Sequence, residues 1–132
     1  MQDIPGLDDL LESARRCIEE ELVPALEDPR LRFRARVAAN VLGIALRERK
    51  LEPGLIALEV KRLEDLLGSP APPDTDSRRL ALALNDILVR RIRAGTIDAT
   101  PGSPLWRHLR LTAVEKLLVA NPAHLRRLGE VQ

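Results

Sequence analysis

The chain has 132 residues, of which 45% are hydrophobic, and its 21 basic and 20 acidic residues leave a formal net charge of +1 at pH 7. This composition predicts a folded globular chain rather than a disordered one. One Trp, one Phe and no Tyr leave almost nothing on which bases could stack, so nucleic-acid binding is not expected. There is no long apolar run and no signal-peptide pattern, so we expect a cytoplasmic protein without a membrane segment.

Helical periodicity dominates the chain from its first residues. The first predicted helix runs from about Pro5 to Glu27, and Pro24, which lacks an N–H, should kink or end it. We expect its apolar stripe to be buried, with the only cysteine of the chain as a packed thiol. The stripe comprises Leu7, Leu10, Leu11, Ala14, Cys17, Ile18 and Leu22.

The charge changes sign between the first and second predicted helices. Residues 1–28 hold nine acidic and two basic residues, whereas residues 29–50 hold seven basic and one acidic residue. This asymmetry predicts that the two helices pack side by side with their charged flanks paired.

The second predicted helix begins at Asp28-Pro29 and runs to about Leu51, and it is apolar on two sides. Such a helix belongs in the middle of a bundle. One side carries Phe33, Val37 and Ile44, and the other carries Ala35, Ala38, Ala39, Leu42 and Leu46. Leu51-Glu52-Pro53-Gly54 predicts a break, followed by a third helix to about Leu67 and a proline-rich internal loop over residues 68–77.

The remaining helices have clear start signals. Asp76 or Ser77 should cap a fourth helix that stops at Gly95, and Ser103-Pro104 should begin a fifth that ends before Asn121-Pro122. A short terminal turn with Leu125 and Leu128 follows. The fold class is therefore predicted as all-α, a single-domain bundle over residues 1–132 with four long helices and one or two short ones.

The sequence contains none of the known catalytic motifs that were considered: a phosphate-binding loop, a nucleophile elbow or a set of metal ligands. The glycines are scattered, no serine lies in a nucleophile elbow, and His108 and His124 are sixteen residues apart without acidic or cysteine ligands at suitable spacing. No metal or cofactor is expected, and the chain is predicted to be non-catalytic, although weak activity stays open.

Polar residues within apolar stripes mark the candidate ligand-binding residues. Asn40 lies on the Phe33 stripe, and Thr112 and Lys116 lie on a stripe with Leu105, Leu109 and Val119. Because a buried unpartnered amide costs about 1–3 kcal/mol, we expect these groups to face inward and to be paired or in a pocket. The candidate set is Arg36, Asn40, Arg47, Thr112 and Lys116.

Each of these residues also has a structural explanation. Arg36, Asn40 and Arg47 would hold the acidic first helix in register. Thr112 would bond to the preceding turn, and Lys116 would extend to solvent or pair with an acid. Trp106 and His108 open the fifth helix and would line a pocket or an interface, with Trp106 expected to pack at the end of the bundle.

Two functions are compatible with this pattern. The leading hypothesis is an accessory or interaction module that uses a surface of the second and fifth helices, with homodimerisation as one form. The alternative is a binding domain or weak enzyme with a pocket between those helices for an acyl-CoA or another anionic metabolite. Duplex nucleic-acid binding through residues 30–50 is disfavoured by the balanced net charge.

Four segments together resemble a known family. They are MQDIP with the following Leu10-Leu11, RFRARVAANVL with Arg47-Glu48, IRAGTID, and LRLTAVEKLLVANP. They are similar to an uncharacterised bacterial all-helical family whose members stand alone or are fused to aminoglycoside-phosphotransferase-like kinases, often near acyl-CoA dehydrogenases. The resemblance spans about residues 1–124. It implies an accessory role beside a kinase-like or acyl-CoA-handling enzyme. Arg34 stands where the family usually has His, and the family's aromatic residue near His124 is missing.

Overall fold

The computed structural model describes residues 4–68 and 76–129, which form helices and no strand, so the all-α class is confirmed. The helix α1 (Leu7–Arg16) continues through a π-helical turn (Cys17–Leu22) into the short α2 (Val23–Ala25). The long α3 (Pro29–Leu67) is followed by α4 (Ser77–Arg93), α5 (Pro104–Ala120) and α6 (Pro122–Leu128). Of the described helices, none combines the length and apolarity needed to cross a bilayer. Most of the predicted loop 68–77 lies outside the described residues.

The chain divides into two compact units, Met1–Lys50 (unit 1) and Leu51–Gln132 (unit 2). The division falls within α3, so this helix contributes its first half to unit 1 and its second half to unit 2. The expectation of a single domain over residues 1–132 stays a prediction.

Unit 2 has an aliphatic core made by the second half of α3, α4 and α5. Its buried members are Val60, Leu63, Leu67, Leu80, Ala81, Leu84, Leu88 and Leu105. Helix starts follow the predicted caps: the Asp76 carboxylate accepts the N–H of Arg79 at 2.9 Å, and the Ser103 hydroxyl accepts the N–H of Trp106 at 3.2 Å. Trp106 itself is exposed, so its predicted packing at the end of a bundle is wrong.

Unit 1 buries little apolar surface in comparison. Val23, Ala39 and Gly43 are buried there, and a Cβ atom at Gly43 would lie 3.5 Å from Arg15 Cδ, which marks a close crossing of α1 and α3. The predicted burial of the first apolar stripe is wrong for five of its members, which are exposed: Leu7, Leu10, Ala14, Cys17 and Leu22.

The two apolar sides of α3 in unit 1 have different surroundings. On the alanine side Ala39 is completely buried and Ala35, Leu42 and Leu46 are half-buried as predicted, whereas Ala38 is exposed. On the other side Phe33 is 66% exposed and Val37 is 45% exposed, so the predicted position of this helix in the middle of a bundle is wrong for that side. The sequence pattern identifies an apolar side but not the surface that covers it.

The predicted break at Leu51–Gly54 is also wrong, because α3 runs through Pro53 without interruption. A proline inside a helix removes one backbone hydrogen bond and costs about 3 kcal/mol. Contacts on both sides of it favour the helix: Glu52 forms an ion pair with Arg78 on α4, and Ile56 packs against the core of unit 2. Tertiary packing therefore overrides the local preference.

At Pro24 the sequence prediction is confirmed, since helix α2 ends at Ala25. The preceding turn widens to π geometry, in which the N–H of Val23 donates to the carbonyl of Ile18, five residues back. The π-helical turn ends at Leu22, two residues before Pro24, which has no N–H to donate.

Candidate functional site

In unit 1 the structure brings together two of the three predicted ligand-binding residues. Asn40 and Arg47 line a cleft of about 360 Å³ with residues of α1 and the π-helical turn, while Arg36 is exposed and is not among the lining residues. Asn40 is exposed, so the expectation that its amide is turned away from solvent is wrong. The reason is that the stripe on which it lies is itself uncovered.

Charged groups fill the α1 side of this cleft. Arg15 Nη2 donates to Glu12 Oε1 at 2.5 Å and Arg15 also pairs with Glu19, one turn on either side. Both carboxylates raise the pKa of Arg15, and the hydrogen bond from Arg15 lowers the pKa of Glu12. Because these charges are already paired within α1, the cleft offers an incoming anion no unopposed cation on that side.

The predicted pairing of acidic and basic flanks is seen in unit 1 between Arg49 and Asp8. Arg49 Nε on α3 lies 2.7 Å from Asp8 Oδ1 on α1. This contact supports the structural explanation for the basic residues of α3, in which they hold the acidic helix in register.

In unit 2 the two predicted residues of α5 differ in their surroundings. Thr112 is half-buried and its Oγ1 atom is buried, whereas Lys116 is exposed, so the inward orientation predicted for Lys116 is wrong. The inward face of α5 runs instead through Leu105, His108, Thr112 and Glu115, at spacings of three and four. It is rotated by roughly 40° from the predicted stripe at about 100° per residue.

That face meets polar residues of α3, and together they form the α3–α5 polar cluster of Glu59, Arg62, His108, Thr112 and Glu115. Arg62 binds Glu115 in a two-pronged ion pair, with Nη1–Oε1 at 2.8 Å and Nη2–Oε2 at 2.5 Å. Their side chains are only 22% and 15% exposed. Glu59 accepts a hydrogen bond of 2.9 Å from the amide of Asn85, which connects the cluster to α4.

His108 is the most enclosed polar side chain of the cluster, being 4% exposed. Burial lowers its pKa and Arg62 acts in the same direction, while Glu59 and Glu115 oppose them. The imidazole is therefore neutral at pH 7, with one nitrogen as donor and the other as acceptor. Its Nδ1 atom is buried and has no hydrogen-bond partner among the described residues.

Beside His108 lies an open cleft of about 400 Å³ between α3 and α5. Its lining combines apolar side chains with charged ones: Arg62, Asp65, Leu66, Pro104, Arg107, His108 and Leu111. A volume of this size lies within the range of small-molecule sites, about 300–1,000 Å³. The expectation that His108 lines a pocket is confirmed.

Sequence reasoning missed most of the polar cluster. Glu59 and Arg62 are three residues apart, a spacing that is typical of a solvated helix face. The spacing of His108, Thr112 and Glu115 was the one signal in the sequence that could have identified the cluster. Within the described ranges, no group of three or more His, Cys, Asp or Glu side chains could hold a metal ion.

The comparisons with known proteins agree with the family resemblance. No curated protein and no solved structure matches the chain. A family model described as a domain of unknown function, DUF6285, matches residues 24–124, which include all of α3, α4 and α5. The match covers more than three-quarters of the sequence. The chain therefore belongs to the DUF6285 family.

Proposed function

We propose that this chain is a non-catalytic interaction domain that assembles through unit 1, and that a second copy of the chain covers its exposed apolar stripes. The observation that carries the proposal is the stripe of Phe33, Val37 and Val41 on α3, of which Phe33 is 66% and Val41 56% exposed. Large apolar groups of this kind each favour burial by about 1.5–3 kcal/mol. Contiguous exposed apolar residues mark interaction surfaces.

The poor burial within unit 1 supports the same proposal. Two packed helices bury one side of each, and fewer than about 50 residues rarely form a stable core without a partner. The apolar side chains of α1 that stay exposed, Leu7 and Leu10, form a second stripe. Both stripes would be covered if α3 lay between its own α1 and the α1 of the partner.

Charge favours a second copy as the occupant. The α3 stripe is flanked by Arg30, Arg34 and Arg36, all exposed and without an ion pair to another described residue. Exposed acidic residues lie on the same segment as the α1 stripe, Asp9 in α1 and Glu21 in the π-helical turn. A two-fold arrangement makes the acidic–basic contact twice, as self-complementary dimer interfaces do.

The test is the molar mass of the full chain in solution under reducing conditions, measured over a range of concentrations. The wild-type chain is expected to be a dimer, and Phe33→Asp is expected to be a monomer, since a carboxylate replaces the largest side chain of the apolar stripe. Leu82→Ser is the matched control, because Leu82 is a 69% exposed apolar residue of α4 in unit 2.

The outcomes separate the proposal from its rivals. A wild-type chain that stays monomeric at about 100 μM, or a Leu82→Ser variant that dissociates as readily as Phe33→Asp, overturns dimerisation through unit 1. Circular dichroism of Phe33→Asp must show unchanged helix content, and Phe33→Ser serves in its place if the first variant does not fold.

The family resemblance adds a finer proposal, an accessory role beside a kinase-like or acyl-CoA-metabolising enzyme. Co-purification with such an enzyme, lost in Phe33→Asp and kept in Leu82→Ser, would assign the unit 1 surface to that enzyme instead of a second copy. The alternative function, an anionic-metabolite pocket shared by Arg36, Asn40, Arg47, Thr112 and Lys116, stays a prediction, and these residues belong to different units.

A further inference from the structure

Unsatisfied polar atoms concentrate where α3 meets α5 in unit 2. Among the described residues, the buried side-chain atoms without a hydrogen-bond partner are Arg62 Nε, His108 Nδ1 and Thr112 Oγ1. Each such group costs about 1–3 kcal/mol when it is left unpaired, and native proteins contain few of them. Two of these three residues, Arg62 and His108, line the cleft between α3 and α5, whereas Thr112 does not.

The cleft next to these atoms has two distinct parts. Its apolar part consists of Leu66, Pro104 and Leu111, and Leu111 is 47% exposed. Its polar part consists of Arg62 and His108 at the buried end and Arg107 at the exposed end. An occupant must therefore have a polar head and an apolar body.

The chemistry of the polar part defines the head. The two guanidinium groups can only donate hydrogen bonds, and neutral His108 can donate one, so the head must be rich in acceptors. Arg62 is already neutralised by Glu115, and the carboxylate of Asp65 lies on the same cleft. This near balance of charge suits one negative charge better than several, which excludes a polyphosphate head.

We propose that this cleft binds a small aliphatic monocarboxylate, with its carboxylate on Arg107 and His108 and its hydrocarbon chain on Leu66, Pro104 and Leu111. The ligand would enter from the exposed end of the cleft. The carboxylate satisfies guanidinium and imidazole donors, and the chain removes exposed leucine surface from water.

The full chain contains two histidines, which makes their imidazole resonances a direct probe. We would titrate isotope-labelled protein with hexanoate and follow both imidazoles by NMR. His108 is expected to show a saturable shift, while His124 on α6, outside the cleft, is expected to stay unchanged. Hexanamide, a neutral ligand of equal size, is expected to bind at least about tenfold more weakly, as is inorganic phosphate.

Variants of two arginines on the same helix supply the control. Arg107→Gln is expected to weaken hexanoate binding about tenfold, because one charge-assisted hydrogen bond is lost. Arg110→Gln, three residues further along α5 and outside the cleft lining, is expected to bind like wild type. Both positions are exposed, so both variants are expected to fold.

The proposal is overturned by no saturable shift of His108 with hexanoate, by equal binding of hexanamide, or by equal loss in the two arginine variants. Tighter binding of phosphate than of hexanoate would also overturn it, since the apolar part of the cleft would then have no role. None of these results bears on dimerisation through unit 1.

Discussion

Unit 1 and unit 2 use the same kind of helix but differ in what those helices bury. In unit 2 three helices enclose a core of leucines, with Leu63 and Leu105 almost completely inaccessible. In unit 1 the buried apolar residues are Val23 and Ala39, and larger side chains such as Phe33 face solvent. The difference teaches that apolar periodicity measures the capacity to bury surface, and that the number of packed neighbours decides whether burial is achieved within one chain.

The largest expected effect is a core substitution in unit 2. Leu63→Ala is expected to lower the free energy of unfolding by about 2–5 kcal/mol, because a fully enclosed side chain leaves a cavity. Val37→Ala in unit 1 is expected to change it by no more than about 0.5 kcal/mol when the chain is monomeric. Urea unfolding at low protein concentration measures both, and similar losses in the two variants would contradict the comparison.

The second effect concerns the ion pair that joins α3 to α5 within unit 2. Glu115→Gln is expected to cost about 1.5–3 kcal/mol, since Arg62 keeps its charge in a mostly enclosed position. The double variant Arg62→Met/Glu115→Leu is expected to regain most of this stability, because neither charge remains to be desolvated. A double-mutant cycle with Arg62→Met and Glu115→Leu as its single variants measures the coupling, and strictly additive losses would show that the two side chains do not act as a pair.

The third effect tests how α3 tolerates its internal proline. Pro53→Ala is expected to raise the free energy of unfolding by about 1–2 kcal/mol, because alanine restores one backbone hydrogen bond. The gain is reduced because alanine also gives the unfolded chain more conformational freedom than proline does. Pro122→Ala is the control, because Pro122 is the first residue of α6, where no N–H bond is lost. Equal changes in the two variants would mean that Pro53 imposes no helical cost.

The smallest effect is the contribution of His108 to the pH dependence of stability. The pKa of His108 in the folded chain is below its ordinary value of 6.5, so the unfolded chain binds the proton first as the pH falls. This contribution is complete above pH 6.5 and is lost as the pH falls towards the folded-state pKa. Acid unfolding of His108→Gln should be less steep than that of wild type in this window, and equal steepness of the two would contradict this contribution.

Features set by neighbouring residues could be predicted from the sequence. The caps at Asp76 and Ser103 depend on one side chain and the N–H three residues later, and both formed as expected. The end of the first helix at Pro24 depends on a missing donor, and it lies within one residue of the prediction.

Features set by contacts between residues far apart in the sequence could not be predicted from it. The helix continues through Pro53 because residues on either side of it contact other helices. The inward face of α5 was misplaced because polar and apolar residues alternate around that helix, and its orientation depends on Arg62 of α3, which binds Glu115. Burial of Phe33 was expected from its stripe alone, and no local signal states whether a second surface is present.

Exposure of the thiol at the start of the π-helical turn has a consequence for redox chemistry. Cys17 is the only cysteine, and its exposed position makes it reachable by the thiol of another chain. Oxidation to a disulfide can then join chains only in pairs, because a chain with one thiol has none left for a third chain. Covalent growth in air would stop at twice the mass of the chain.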